Sequence, residues 1–256
     1  MRSALYSTAA VADAEIRKLM RDPTELFSRA VQPVLWLAVF GQVFSQVRGI
    51  PTGGLSYLDY MAPGILAQSI LFSAIFYGIA VIWERDLGIV HKLLVTPAPR
   101  STLVLGKAVA AGIRGLVQAV VVYAIAAGLH VHIRWEPSAI LVVIVSVFLG
   151  SCIFSTFSLL IACIVKTRER FMGIGQVLTM PLFFASNAIY PMEIMPPWLK
   201  VVASVNPLTY LVDALRGAMV DGGIHHYPLS LSLGFMLVVF SILTIAASKL
   251  YPGLVR

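Results

Sequence analysis

Hydrophobic positions in this chain gather into runs of bilayer length, separated by short polar links. Such runs occupy about residues 30–47, 60–83, 108–131, 139–165, 171–190 and 229–247, and Arg114 is the single Lys, Arg, Asp or Glu inside them. A helix rises 1.5 Å per residue, so roughly 20 apolar residues cross a hydrocarbon core of about 30 Å. The pattern predicts an all-α integral membrane protein with six transmembrane helices.

The polar links carry the rest of the organisation. Between the second and third runs, residues 84–107 read ERDLGIVHKLLVTPAPRSTLVLGK. Leu87, Val90 and Leu94 recur at a three-four spacing that puts them on one helical face, while Glu84, Arg85, Asp86, His91 and Lys92 crowd the remainder. Pro97 pushes Thr96 out of the helical region, which predicts a stop near Val95, and Ser101 is placed to cap the next helix. A short amphipathic helix wedged between two spans suits docking into a partner's groove. A solvated loop with incidental periodicity is the plainer alternative.

Residues 1–28 are too charged for a signal peptide, and Ile16, Leu19 and Met20 share one face against Asp13, Glu15, Arg17, Lys18 and Arg21. This predicts a helix lying on the membrane surface, ahead of a six-span domain over residues 29–256. Residues 191–222 predict two more short helices. Pro196-Pro197 opens one; Asn206-Pro207 opens the other, with a capping residue followed by a proline at the first helical position. The second offers only about fourteen residues before Asp221, too few to span, and its Asp213 and Arg216 stand at i, i+3 where they can pair. Two re-entrant helices shielded by other protein fit this stretch; a loop lying flat on the surface is the alternative.

Composition narrows the class. The chain has 256 residues, 59% hydrophobic and only 12% charged, with a mean hydropathy of +0.87. A soluble domain carries about 25% charged residues, so a soluble fold is excluded. The formal charge of +7 does not imply nucleic acid, because the basic residues sit between the spans. One side receives Arg2, Arg17, Lys18, Arg21, Arg29, Arg85, Lys92, Arg100, Lys107, Lys166, Arg168, Arg170, Lys249 and Arg256. The other receives Arg48, Arg134, Lys200 and Arg216. This bias predicts a cell (plasma or inner) membrane protein with both termini and residues 84–107 in the cytoplasm. Cys152 and Cys163 lie about three turns apart in one run, too far to pair within a straight helix, and read as small apolar filler.

Candidate chemistry is sparse. No G-x-x-x-x-G-K-[ST] phosphate loop occurs, and neither H-E-x-x-H nor G-x-S-x-G is present, so no catalytic residue is assigned. If ATP drives this chain, another chain hydrolyses it. Carboxylates are missing from the span interiors, which weighs against a proton-coupled transporter. Arg114 either snorkels or bonds to a neighbouring helix, or else lines a pathway. Gln176, Thr179, Phe183 and Asn187 fall along one face of the fifth span and either line a pathway or bond to neighbouring helices. Ser151, Ser155, Ser158 and Ala162 form a small-residue stripe suited to tight helix packing. His130, His132, His225 and His226 lack a convincing carboxylate or cysteine to complete a metal set.

Two stretches carry a family resemblance. ERDLGIVHKLLVTPAPRSTLVLGK resembles the cytoplasmic coupling segment of type-2 ABC transporter permeases. FFASNAIYPMEIMPPWLKVVASVNPLTYLVDALRG resembles that family's segment before the last span, in the drug, lipid and glycan exporter branch. The resemblance implies a permease subunit that pairs with a second permease, identical or not, above two ATPase subunits that carry ATP and Mg. By position, it implies that Leu87, Val90, His91 and Leu94 face the ATPase, with Glu84 and Arg85 at the membrane exit. Trp198, Asn206, Tyr210, Asp213 and Arg216 would form or line an outer gate. The competing expectation is a non-transporting membrane scaffold or assembly factor that recruits a soluble partner through the same helix.

Overall fold

The computed structural model describes Asp13, Arg17 and residues 31–45, 52–90, 99–165 and 167–255. Helix α1 spans Val31–Ser45, with a π-helical stretch at Trp36–Gly41 where Trp36 stacks on Phe40 at 4.6 Å. It is followed by α2 (Tyr57–Asp86), α3 (Arg100–Gly128), α4 (Pro137–Ile164) and α5 (Arg168–Phe184). The short helices α6 (Pro197–Val205) and α7 (Pro207–Met219) precede α8 (Leu229–Leu250), whose end tightens into a 3-10 turn at Tyr251–Val255. Among the described residues the only strand-like pairing is an isolated bridge between Ile133 and Val220.

Among the described residues, four helices are long and apolar enough to cross a membrane: α2, α3, α4 and Leu229–Gly253. The other two expected spans are shorter in their described parts. The fifth stops at Phe184 after 17 residues, about 26 Å of rise, rather than continuing to 190. Pro181 withholds a helical amide near its end, and the Ser186 hydroxyl takes the Phe183 carbonyl at 2.7 Å. Residues 185–190 then bend back across α2. The Ala188 carbonyl lies only 2.2 Å from where a Cβ on Gly64 would stand, so α2 admits the bend because residue 64 has no side chain.

Local chemistry explains the helix starts. Ser56 caps α2 by accepting the Asp59 amide at 3.1 Å and donating to its carboxylate at 2.7 Å. Asn206 caps α7 through the Leu208 amide at 3.0 Å, and proline takes the first position of α4, α6 and α7. The third helix departs from expectation. It begins at Arg100 with Pro99 at the cap, so Ser101 lies inside the first turn and caps nothing. Lys107 is two turns into the helix. Of the expected N-terminal surface helix only Asp13 and Arg17 are described, paired at 2.8 Å; the remainder lies outside the described residues.

At the centre stands α4, packed against α2, α3, α7 and α8. Its stripe of Ser151, Ser155, Ser158 and Ala162 is buried. Ser158 donates to the Ile75 carbonyl at 2.6 Å and accepts the Gly78 amide at 3.0 Å, stitching α4 to α2. The two ends of the bundle differ in charge. Arg85, Arg100, Arg168, Arg170 and Lys249 gather at one, with the C-terminus of α2 and the N-terminus of α5 joined by Arg168 and Asp86 at 2.8 Å. At the opposite end, the His132 amide donates to Asp59 at 2.9 Å and the Arg134 amide to Met219 at 2.9 Å.

Candidate functional site

The basic end contains the polar stretch. Helix α2 runs without a break to Asp86, and Gly88 then adopts φ +71, its amide bonded to the Arg85 carbonyl at 2.9 Å. This left-handed residue closes the helix and turns the chain, as glycine does after a helical C-cap. The turn separates residues that the periodicity placed together. Leu87 is 68% exposed and Ile89 39%, whereas Val90 is fully buried. Val90 sits in a socket formed by Tyr77 and Val81 of α2, Leu103 and Val104 of α3, Leu159 of α4, and Ala247 and Tyr251 at the end of α8. Leu87 and Val90 therefore do not share a face, and the exposed apolar pair is Leu87 with Ile89. His91 and Leu94, like Lys92, lie outside the described residues.

Charges flank the turn. Glu84 is buried and bonded to Lys107 of α3 at 2.6 Å. Arg85 and Arg168 both hold the Asp86 carboxylate, at 2.9 and 2.8 Å, and the Arg168 guanidinium lies 3.7 Å above the Trp83 ring. Among the described residues at this end, Arg85, Arg100, Lys107, Arg168, Arg170 and Lys249 outnumber Glu84, Asp86 and Glu169.

Inside the bundle, Arg114 is half-buried between α2 and α3, its guanidinium 4.9 Å above the Tyr77 ring. The face read along the fifth span divides. Gln176 is exposed and borders a groove of about 270 Å³ between α1, α2 and α5, with Gln32, Phe72, Phe76, Met172 and Met180. Thr179 is buried and its hydroxyl donates to the Gly175 carbonyl, while Phe183 is packed in the core edge-on to Trp36 at 5.9 Å. Asn187 lies beyond the end of α5, in the bend.

There it joins a buried polar network. Asn187 Nδ2 donates to Asp213 at 2.5 Å, and the Arg216 guanidinium donates to the Asn187 carbonyl at 2.7 Å and covers the Tyr60 ring at 3.8 Å. Asp213 also accepts the amides of His226 at 3.1 Å and Tyr227 at 2.9 Å. The direct Asp213–Arg216 contact is looser, 3.9 Å. A cleft of about 350 Å³ opens beside the network, rimmed by Thr52, Glu193, His225 and His226. Asn206 fixes the α6–α7 corner, since its Nδ2 reaches the Leu182 carbonyl at 2.7 Å. The two aromatic residues expected at the outer mouth occupy opposite environments. Trp198 is 67% exposed; Tyr210 is buried, stacked on Phe235 at 4.0 Å, with its hydroxyl on the Ser204 carbonyl at 2.7 Å. Among the described residues no three His, Cys, Asp or Glu side chains are placed to hold a metal.

The periodicity missed Ile89, Tyr60, Tyr77 and Lys107. Gly88 was the available signal for Ile89, because a glycine after a charged helix end marks a turn. The other three act through neighbours distant in sequence.

Comparison with known proteins points one way. Residues 6–220 match the family described as ABC-2 type transporter. The protein named transport permease ycf38 of Cyanophora paradoxa is 30% identical over 202 residues, covering 78% of this chain and 69% of that protein. Inner membrane transport permease YadH of Escherichia coli is 25% identical over 235 residues, 88% of this chain and 86% of the relative. The protein named multidrug ABC transporter permease YbhR of Escherichia coli is 30% identical over 172 residues, 66% of this chain and 46% of its own length. With its long apolar helices, polar segment and short proline-opened helices, this chain belongs to the ABC-2 type transporter permease family.

Proposed function

We propose that the chain is the transmembrane subunit of an ATP-driven exporter, with both termini in the cytoplasm of a cell or inner membrane. ATP and Mg act on a separate ATPase, present in two copies, that docks at the turn after α2. The observation that carries this reading is the exposed Leu87–Ile89 pair at the basic end, held outside the bundle while Val90 is sunk into it. Exposed apolar side chains on a positively charged, membrane-proximal turn are what a soluble docking partner needs.

On this reading α1 and α5 complete six spans with the four long helices. The exposed face of α1, with Val34, Leu35, Val39 and Phe40, supplies surface for a second permease subunit. The cargo is lipophilic or amphipathic, a drug, a lipid or a lipid-linked glycan. The groove containing Gln176 supports this, because aromatic and methionine side chains surround two amides and no charge. The helices around Asn206, Asp213 and Arg216 form the outer closure.

The test is copurification of an ATPase from native membrane, joined to ATP-dependent cargo movement in vesicles. A Leu87→Ala, Ile89→Ala double variant removes two apolar side chains worth roughly 1.5–3 kcal/mol each when buried at a contact. Assembly is expected to weaken by about two orders of magnitude or more. A chain that recruits a soluble protein but moves no cargo would favour a membrane scaffold instead.

A further inference from the structure

The polar stretch begins at Glu84 and ends at Lys107, and these two residues form its buried ion pair. Lys107 Nζ donates to Glu84 Oε2 at 2.6 Å, with side chains only 4% and 9% exposed. The residues stand 23 positions apart, so the pair ties the C-terminal end of α2 to α3. An exposed pair would hold the two helices together weakly; a buried one resists separation, because drawing opposite charges apart in a low-dielectric surround is costly. The Tyr77 ring lies 5.6 Å from the Lys107 ammonium and also belongs to the socket around Val90. The stretch is therefore fastened at two adjoining points, one ionic and one apolar, with Leu87 and Ile89 left outside.

We propose that Glu84 and Lys107 are positioning residues that make the turn at residues 87–90 and the adjoining ends of α2 and α3 move as one body. The inference rests on reading the segment as the ATPase dock. Gly88 turns the chain out of α2 and Pro99 stands at the start of α3, so the connection leaves both helices at a break and yields when pushed. The ion pair removes that slack. A displacement delivered at Leu87 and Ile89 then reaches both helices together, including the Tyr77–Arg114 contact deeper in the bundle.

The experiment compares the parent complex, reconstituted with its ATPase, with Glu84→Gln, Lys107→Met, the neutral double variant, the exchange Glu84→Lys with Lys107→Glu, and Lys107→Arg. Three quantities are read: ATPase retained, ATP hydrolysed, and cargo moved per ATP. The single variants are expected to retain the ATPase and hydrolyse ATP while cargo per ATP falls about three- to thirtyfold. Lys107→Arg and the exchange variant are expected to recover most of it. Unchanged cargo per ATP in the single variants, or no recovery in either rescue, overturns the proposal. Where a single variant fails to accumulate, the neutral double variant, which removes both charges of the pair, gives the same reading. As a second route, cysteines at 84 and 107 in a Cys152→Ala, Cys163→Ala background are bridged by a short bifunctional thiol reagent. Bridging is expected to recover the cargo moved per ATP that the unbridged cysteine pair has lost, and no recovery overturns one-body movement. A parent chain that captures no ATPase sinks the docking reading beneath the proposal, and the proposal with it.

Discussion

Replacing Asp213 by alanine is expected to be the most damaging single change at the outer end. Its carboxylate accepts Asn187 Nδ2 and the amides of His226 and Tyr227, and it lies 3.9 Å from Arg216. Hydrogen bonds to a charged group contribute about 1.5–3 kcal/mol each, but the three share one carboxylate and do not add. The larger consequence falls on Arg216, which is 2% exposed and would remain charged with its counterion gone. Breaking one side of a buried pair costs about 3–5 kcal/mol. At about 2–4 °C per kcal/mol for a chain of this size, the melting temperature should fall by roughly 6–20 °C. The assay is thermal unfolding of purified protein followed by tryptophan fluorescence. Asp221→Ala is the control, since its side chain is 76% exposed and 3.7 Å from Arg134, and it should barely move the midpoint. A Asp213→Leu, Arg216→Met double variant should recover part of the loss, because no charge is stranded. If Asp213→Ala melts within about 2 °C of the parent, the network is ornamental and the reasoning fails.

Three further outcomes follow from the same geometry. Val90→Ala should destabilise the basic end by about 2 kcal/mol, from two carbons lost in a sealed socket, with earlier proteolysis there; Leu87→Ala should leave stability unchanged and weaken only ATPase binding. Asn206→Ala removes a cap worth about 1 kcal/mol together with the bond to Leu182, so cargo movement should fall while membrane insertion persists. Cysteines at Thr52, Ser138 and Gly223 should react with an impermeant reagent in intact cells while one at Thr167 does not, and the reverse pattern would invert the topology.

What the sequence discloses here depends on how far each cause reaches. Proline and asparagine act on their own backbone, so Pro196-Pro197 and Asn206-Pro207 announce α6 and α7 without help from the fold. The long apolar runs are legible because the membrane imposes their length. Residues 185–190 are apolar enough to prolong a span, yet they bend, because Pro181, Ser186 and the space above Gly64 cooperate across two helices. Leu87 and Val90 share a periodicity and lost a face because Gly88 intervenes with positive φ. The partners of Glu84, Asp213 and Arg216 were less accessible still. Lys107, Asn187 and Tyr60 meet them only after the helices pack, and no local pattern encodes that.

Helix α8 has a consequence of another kind. It is 22 residues long, and only Ser232, Met236 and Ala247 along it are buried, while Leu237, Val238, Ile242 and Ile245 are all more than half exposed. Its neighbours pack along one face of it, with Phe235, Met236, Val239, Phe240 and Leu243 against the core and Phe235 stacked on Tyr210. The opposite face is selected by lipid rather than by protein. Each Leu, Ile, Val or Phe at mid-bilayer favours insertion by about 0.3–0.6 kcal/mol, so the helix can enter the membrane unaided and dock afterwards. Its outward positions should accept exchange of one aliphatic side chain for another, whereas changes at Ser232, Met236, Ala247 and Tyr251 should disturb the packing.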